Sequence, residues 1–118
     1  MNNVNIIRVF DIVGGGLCVS SDDGQLVHDQ IAELLREKHK VIISFEGIET
    51  LISAFLNASI GQLYGEFSEE EIRSYLAVES MLPEDMELLK RVIDNAKIYF
   101  KNQKKFDDAW KIEVNDEE

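Results

Sequence analysis

Val41, Ile42 and Ile43 form an unbroken β-branched run at the centre of the chain, and this run limits the possible folds more than any other stretch. A continuous apolar run of this kind reads as a strand of a parallel sheet buried on both faces. Such a strand sits centrally. A tight turn at Glu46-Gly47 follows, and then Leu51, Ile52, Phe55, Leu56, Ile60, Leu63 and Tyr64 recur at spacings of three and four. That spacing predicts one long amphipathic helix over 50–64, lying on the sheet. The strand therefore delivers the helix N-terminus to the sheet's C-terminal edge, where open α/β folds keep their sites.

The remaining segments arrange themselves around this unit. Asn5 to Val13 is rich in β-branched residues and stops at Gly14-Gly15-Gly16, after which Leu17 to Ser20 resumes the pattern. This predicts an opening β-hairpin, with the glycines as turn residues. Ser21-Asp22-Asp23-Gly24 supplies helix caps, and Leu26, Val27, Ile31, Leu34 and Leu35 form the stripe of the next helix. His28 falls on its flank and His39 beyond its end, both expected at the surface. Further on, Ser68 with Glu71 makes a capping box that opens a short helix, Tyr75 to Val78 reads as a strand, and Pro83-Glu84-Asp85 starts the last long helix. The expected fold is α/β: a mixed sheet of four or five strands that begins with a hairpin and carries helices. Residues 1–114 form one domain, with Phe106 and Trp110 docking as a terminal segment and 115–118 a mobile acidic tail.

Charge removes whole classes of function. With 12 basic against 23 acidic residues the net charge is −11, which opposes the counterion displacement that nucleic-acid binding needs and disfavours anionic membranes. No nucleic acid and no membrane is expected. No apolar run approaches the ~18 residues of a membrane span, and the N-terminus has no export pattern, so a cytoplasmic location is expected. The single cysteine, Cys18, cannot form an internal disulfide and reads as a small buried hydrophobe.

The residues offer little catalytic chemistry. The histidines have no cysteine or carboxylate at metal-ligand spacing, so no metal and no cofactor is expected. Glu46 and Glu49 bracket the turn before the central helix, where they fit a turn and the positive helix end better than an acid-base pair. A second reading keeps a small-ligand or nucleotide sensor, or an enzyme, at a strand-end pocket made by Ser44, Glu46 and Ser53. A third keeps self-association, through a sheet edge or the segment around Trp110.

Two adjacent motifs carry a family resemblance. Ser44-Phe45-Glu46-Gly47-Ile48-Glu49 is similar to the strand-end motif Asp-Phe-x-Gly-Val, and Ser53-Ala54-Phe55-Leu56-Asn57 with Gly61-Gln62-Leu63-Tyr64-Gly65 to the helix that follows it, in the bacterial STAS-like family DUF4325. The likeness spans Arg8 to Phe100, and its fold relatives are the STAS domains of anti-sigma factor antagonists. In those antagonists a serine at the start of this helix is phosphorylated by a GHKL-type kinase, which docks there. In this chain Ala54 takes the place of the usual phosphate acceptor, Ser53 is the hydroxyl that is left, and Ser44 replaces the strand-end aspartate. The resemblance thus implies a non-enzymatic bacterial module that binds a protein partner, a GHKL-type ATPase or kinase among the candidates, through Ser44, Glu46, Gly47, Glu49, Ser53 and Asn57.

Overall fold

A computed structural model describes residues 4–116, with side chains as far as Gln103. The elements run β1 (Val4–Arg8), α1 (Val9–Val13), β2 (Leu17–Cys18), α2 (Ser21–Arg36), β3 (Lys40–Ser44), β4 (Thr50–Leu51), α3 (Ser53–Ser59), a 3-10 turn (Gly61–Gly65), α4 (Glu69–Tyr75), β5 (Leu76–Glu79) and α5 (Pro83–Asp116). As the β-branched run requires, β3 is central: it pairs in parallel with β1 on one side and β5 on the other. β2 and β4 form a separate two-stranded parallel ladder.

Four expectations are corrected. The opening hairpin does not form, because Val9 to Val13 winds into a helical turn. Val9, Ile12 and Val13 lie three and four apart and face inward, Arg8 and Asp11 pair at 3.3 Å across that turn, and the helix ends at Gly14. The β-branched run concealed a helical spacing. Secondly, the five strands make two parallel ladders instead of one mixed sheet, since β2 joins β4 and leaves β1 to pair with β3. Thirdly, β3 is buried on one face only: Val41 and Ile43 are sealed, whereas Ile42 is partly open. Fourthly, the helix over 50–64 is divided. Thr50 and Leu51 are held as strand by Leu17 and Cys18, α3 runs only to Ser59, and the chain then tightens into the 3-10 turn, where Gly61 lies close to Val92 and Ala96 of α5.

Other local signals hold. Ser20 caps α2, its hydroxyl accepting from the amides of Asp22 and Asp23, and Ser68 and Glu71 form the reciprocal capping box of α4. The strand near Tyr75 is β5, and Pro83 opens α5. The core lies between the inner face of the three-stranded sheet and α2, α3 and α5, with Val27, Ile31, Ile43, Phe55, Leu56 and Leu63 fully enclosed. At Gly24 the helices α2 and α3 come so near that a Cβ would stand 2.7 Å from the Phe55 carbonyl oxygen. The side chains of Phe106 and Trp110, and residues 117–118 of the expected tail, lie outside the described residues; the α5 backbone passes through Asn115 and Asp116.

Candidate functional site

Strands β1, β3 and β5 are parallel, so the segments that follow them leave from one edge of the sheet. Ser44 ends β3 there and is 4% exposed, its hydroxyl accepting from the Glu46 amide at 3.4 Å. Glu46 and Gly47 form the exposed turn beyond it. Gly47 has φ +83, a conformation that disfavours any side chain, and the Phe10 ring lies against it, 3.0 Å from where a Cβ would be. Glu49 is exposed; its amide donates to the Gly16 carbonyl at 2.8 Å, and its carboxylate lies beside Gly16. The triple-glycine segment thus serves as backbone acceptor and close neighbour for the turn after β3.

The β2–β4 ladder continues this work. Thr50 donates to the Gly16 carbonyl and Ile52 to the Cys18 carbonyl, which fixes the direction in which α3 departs. Ser53 is the first residue of α3 and is exposed, and no side chain caps this helix at Ile52. Asn57, one turn further on, is exposed and lines a separate groove of about 290 Å³ with Gly61, Gln62, Asn95 and Tyr99. The structure therefore gathers Ser44, Glu46, Gly47 and Glu49 at one turn, puts Ser53 at the neighbouring helix start, and sets Asn57 against α5. Four grooves of about 230–480 Å³ open on the described surface, and Ser44, Glu46 and Ser53 line none of these four.

The segments that leave this edge carry both exposed apolar and acidic side chains. Phe10, Leu17, Val19, Ile52, Leu82 and Met86 are all exposed on the segments following β1, β2, β4 and β5, with Leu17 at 56% and Met86 at 52%. Asp22, Asp23, Glu84 and Asp85 share those segments, and Glu46 and Glu49 lie on the one that follows β3. Cys18 lies beneath, completely buried, and its thiol is pushed up to about 11, first by burial and then by the charges of Asp23 and Asp85.

The family now follows. The model of the STAS-like domain of unknown function (DUF4325) matches residues 23–86, more than half of the 118 residues. The chain belongs to that family. The match runs from the first turn of α2 to the first turn of α5 and takes in β3, the turn at Gly47 and all of α3. No curated protein and no solved structure matches this STAS-like domain.

Sequence reasoning missed one polar cluster. His28, expected at the surface, is 6% exposed, with Nε2 2.6 Å from a carboxylate oxygen of Glu66. Its Nδ1 lies 3.0 Å from Asp29 and 3.1 Å from the Gln25 amide nitrogen, and Gln62 donates to Gln25 at 2.9 Å. Hydrogen bonds from Gln25 and His28 hold the Asp29 carboxyl below its ordinary range. The signal was present: Gly24, His28, Ile31, Ala32 and Leu35 continue one buried stripe on α2. The cluster ties α2 to the end of the 3-10 turn. It closes no metal site, and no group of three or more metal-ligating side chains exists among the described residues.

Proposed function

We propose that this STAS-like domain is a non-enzymatic regulatory module of the bacterial cytoplasm that docks a protein partner on the sheet edge where α3 begins. One observation carries the reading: large apolar side chains from separate segments, Leu17, Val19, Ile52, Leu82 and Met86 among them, are exposed at that edge. Grouped exposure of this kind marks interaction surfaces, whereas single exposed apolar residues are ordinary. The carboxylates on the segments that leave it favour a partner whose contact surface is both apolar and basic. Glu46, Gly47 and Glu49 shape the turn on one side, and Ser53 and Asn57 present the adjoining face of α3. A GHKL-type ATPase or kinase is the first candidate, on the likeness to anti-sigma factor antagonists. With Ala54 at the usual acceptor position, docking in this reading does not depend on phosphorylation.

The test is affinity capture from the native cell with the full chain and with Ile52→Asp and Glu49→Lys variants, each shown by circular dichroism to be folded. The expected result is a partner held by the parent chain and lost from both variants. Folded variants that keep every partner would overturn the proposal.

A further inference from the structure

The face of the three-stranded sheet turned away from the helices is apolar and open. Register places Ile6, Ile42 and Ala77 in one row across it, with Val4 and Lys40 before them and Arg8, Ser44 and Glu79 after. Ile6 is 58% exposed, Val4 and Ala77 are exposed and Ile42 is partly open, whereas Ser44 at the centre of the last row is buried. Parallel sheets are found almost exclusively with both faces covered. Here α2, α3 and α5 pack on the opposite face, while the end of α4 borders this one, Arg73, Ser74 and Tyr75 lining a groove with Val4, Lys40, Ile42 and Ala77, and Ala77 at the sheet margin also lines a groove with Leu89 and Ile93 of α5.

The rows are self-complementary in both size and charge. Let a second copy be laid on this face about a two-fold axis parallel to the strands and passing over β3. Each β1 then faces the other copy's β5, and rows keep their level. Ile42 meets Ile42 of the second copy, each large Ile6 meets a small Ala77, and each Arg8 meets a Glu79. Facing sheets pack about 10 Å apart with their strands nearly aligned, which suits this superposition. Lys40 would meet its own copy, but it lies at the row where the sheet ends, and a long stem there can turn its ammonium to water. Arg8 is not lost to its own chain, since its 3.3 Å contact with Asp11 is an exposed pair that a second carboxylate can share.

We infer that the open sheet face is a homodimer interface, in which two copies stack β1 on β5 through Ile6, Ile42 and Ala77 with Arg8 and Glu79 paired across the axis. Ile6, Ile42 and Ala77 lie on the sheet face itself, and the row of Arg8, Ser44 and Glu79 borders the edge proposed for the partner, so the two surfaces adjoin. Three short strands offer a small area, which places the dimer in the weak class, with Kd on the order of 10–100 µM.

Sedimentation of the full chain over a concentration series tests this directly. A monomer–dimer equilibrium is expected, abolished by Ile42→Glu. Arg8→Glu and Glu79→Arg should each weaken it about tenfold, and the double reversal should restore it, because the pair is then re-formed with its signs exchanged. Should Ile42→Glu fail to fold, the charge reversals alone decide. A strict monomer at every concentration overturns the inference and leaves the face to a different chain. A dimer that ignores both charge reversals overturns it equally.

Discussion

Neighbouring residues of the same strands lead opposite lives in this domain. Ile7, Val41 and Ile43 point into the helices and are sealed, whereas Ile6 and Ile42, one residue away, point to the more open face, which among the described residues the end of α4 borders. Backbone, strand propensity and sequence context are nearly identical for the two sets. What separates them is burial, so the contrast isolates what packing contributes from what strand formation contributes. The inner set carries fold stability. The outer set contributes little to the monomer, and its apolar character calls for a reason outside the monomer.

The largest test of this contrast is a pair of truncations one residue apart on β3. Ile43→Ala opens a cavity in a fully enclosed site and should cost about 2–4 kcal/mol in urea unfolding. Ile42→Ala, on the partly open face, should cost under half as much in dilute solution. Equal losses would mean that both faces are packed within one chain, and the contrast would fail.

Second in size is His28, the polar exception on the covered side. Replacing it by alanine leaves the Glu66 carboxylate without its 2.6 Å partner and removes the side chain that joins α2 to the 3-10 turn. The expected loss is about 1–3 kcal/mol. His28→Gln, which can still donate to Glu66, should recover part of it. Should both variants unfold like the parent, the cluster has no part in holding the helices together.

How far the chain could be read beforehand follows from the same contrast. The run Val41-Ile42-Ile43 identified the central strand, yet it could not say that one face stays open, because unbroken hydrophobicity looks alike whether the second cover is a helix or another molecule. Ser68, Glu71 and Pro83 were readable because capping acts within one turn of chain. The hairpin at Asn5 to Ser20 was misread because β2 chooses between β1 and β4 by long-range packing, and the spacing of Val9, Ile12 and Val13 is equally compatible with a helical turn. At the candidate site, the turn at Glu46-Gly47 was legible from local chemistry. The convergence of Leu17, Ile52 and Met86 on one edge was not, since it depends on how separate segments leave the sheet.

A smaller effect probes how well the covered side excludes water. The Cys18 thiol is raised from its ordinary value of 9.0 to about 11. The unfolded chain therefore releases this proton first as pH rises, and stability falls between those two values. The parent should lose about 1 kcal/mol at pH 10 relative to pH 8, in excess of whatever a Cys18→Ala variant loses over the same interval. Urea titrations of both proteins at the two pH values measure the difference. Identical slopes would show that the thiol is reached by solvent in the native state, and would weaken the claim that this side is sealed.

The smallest expected effect lies on the open face. Threonine is about as good a strand former as isoleucine, so Ile6→Thr changes apolar area and little else. With 58% of Ile6 already exposed, the area withdrawn from water within one chain is small, and the unfolding free energy of dilute protein should move by less than about 0.5 kcal/mol. Ile7→Thr, one residue along and buried, should cost several times more. A loss above about 1 kcal/mol for Ile6→Thr in dilute monomer would mean that something within the chain covers this face, and the inner and outer rows would then have to be treated alike. A loss that appears only as concentration rises would instead place the cover in a second molecule, as a face idle in the monomer and buried on association requires.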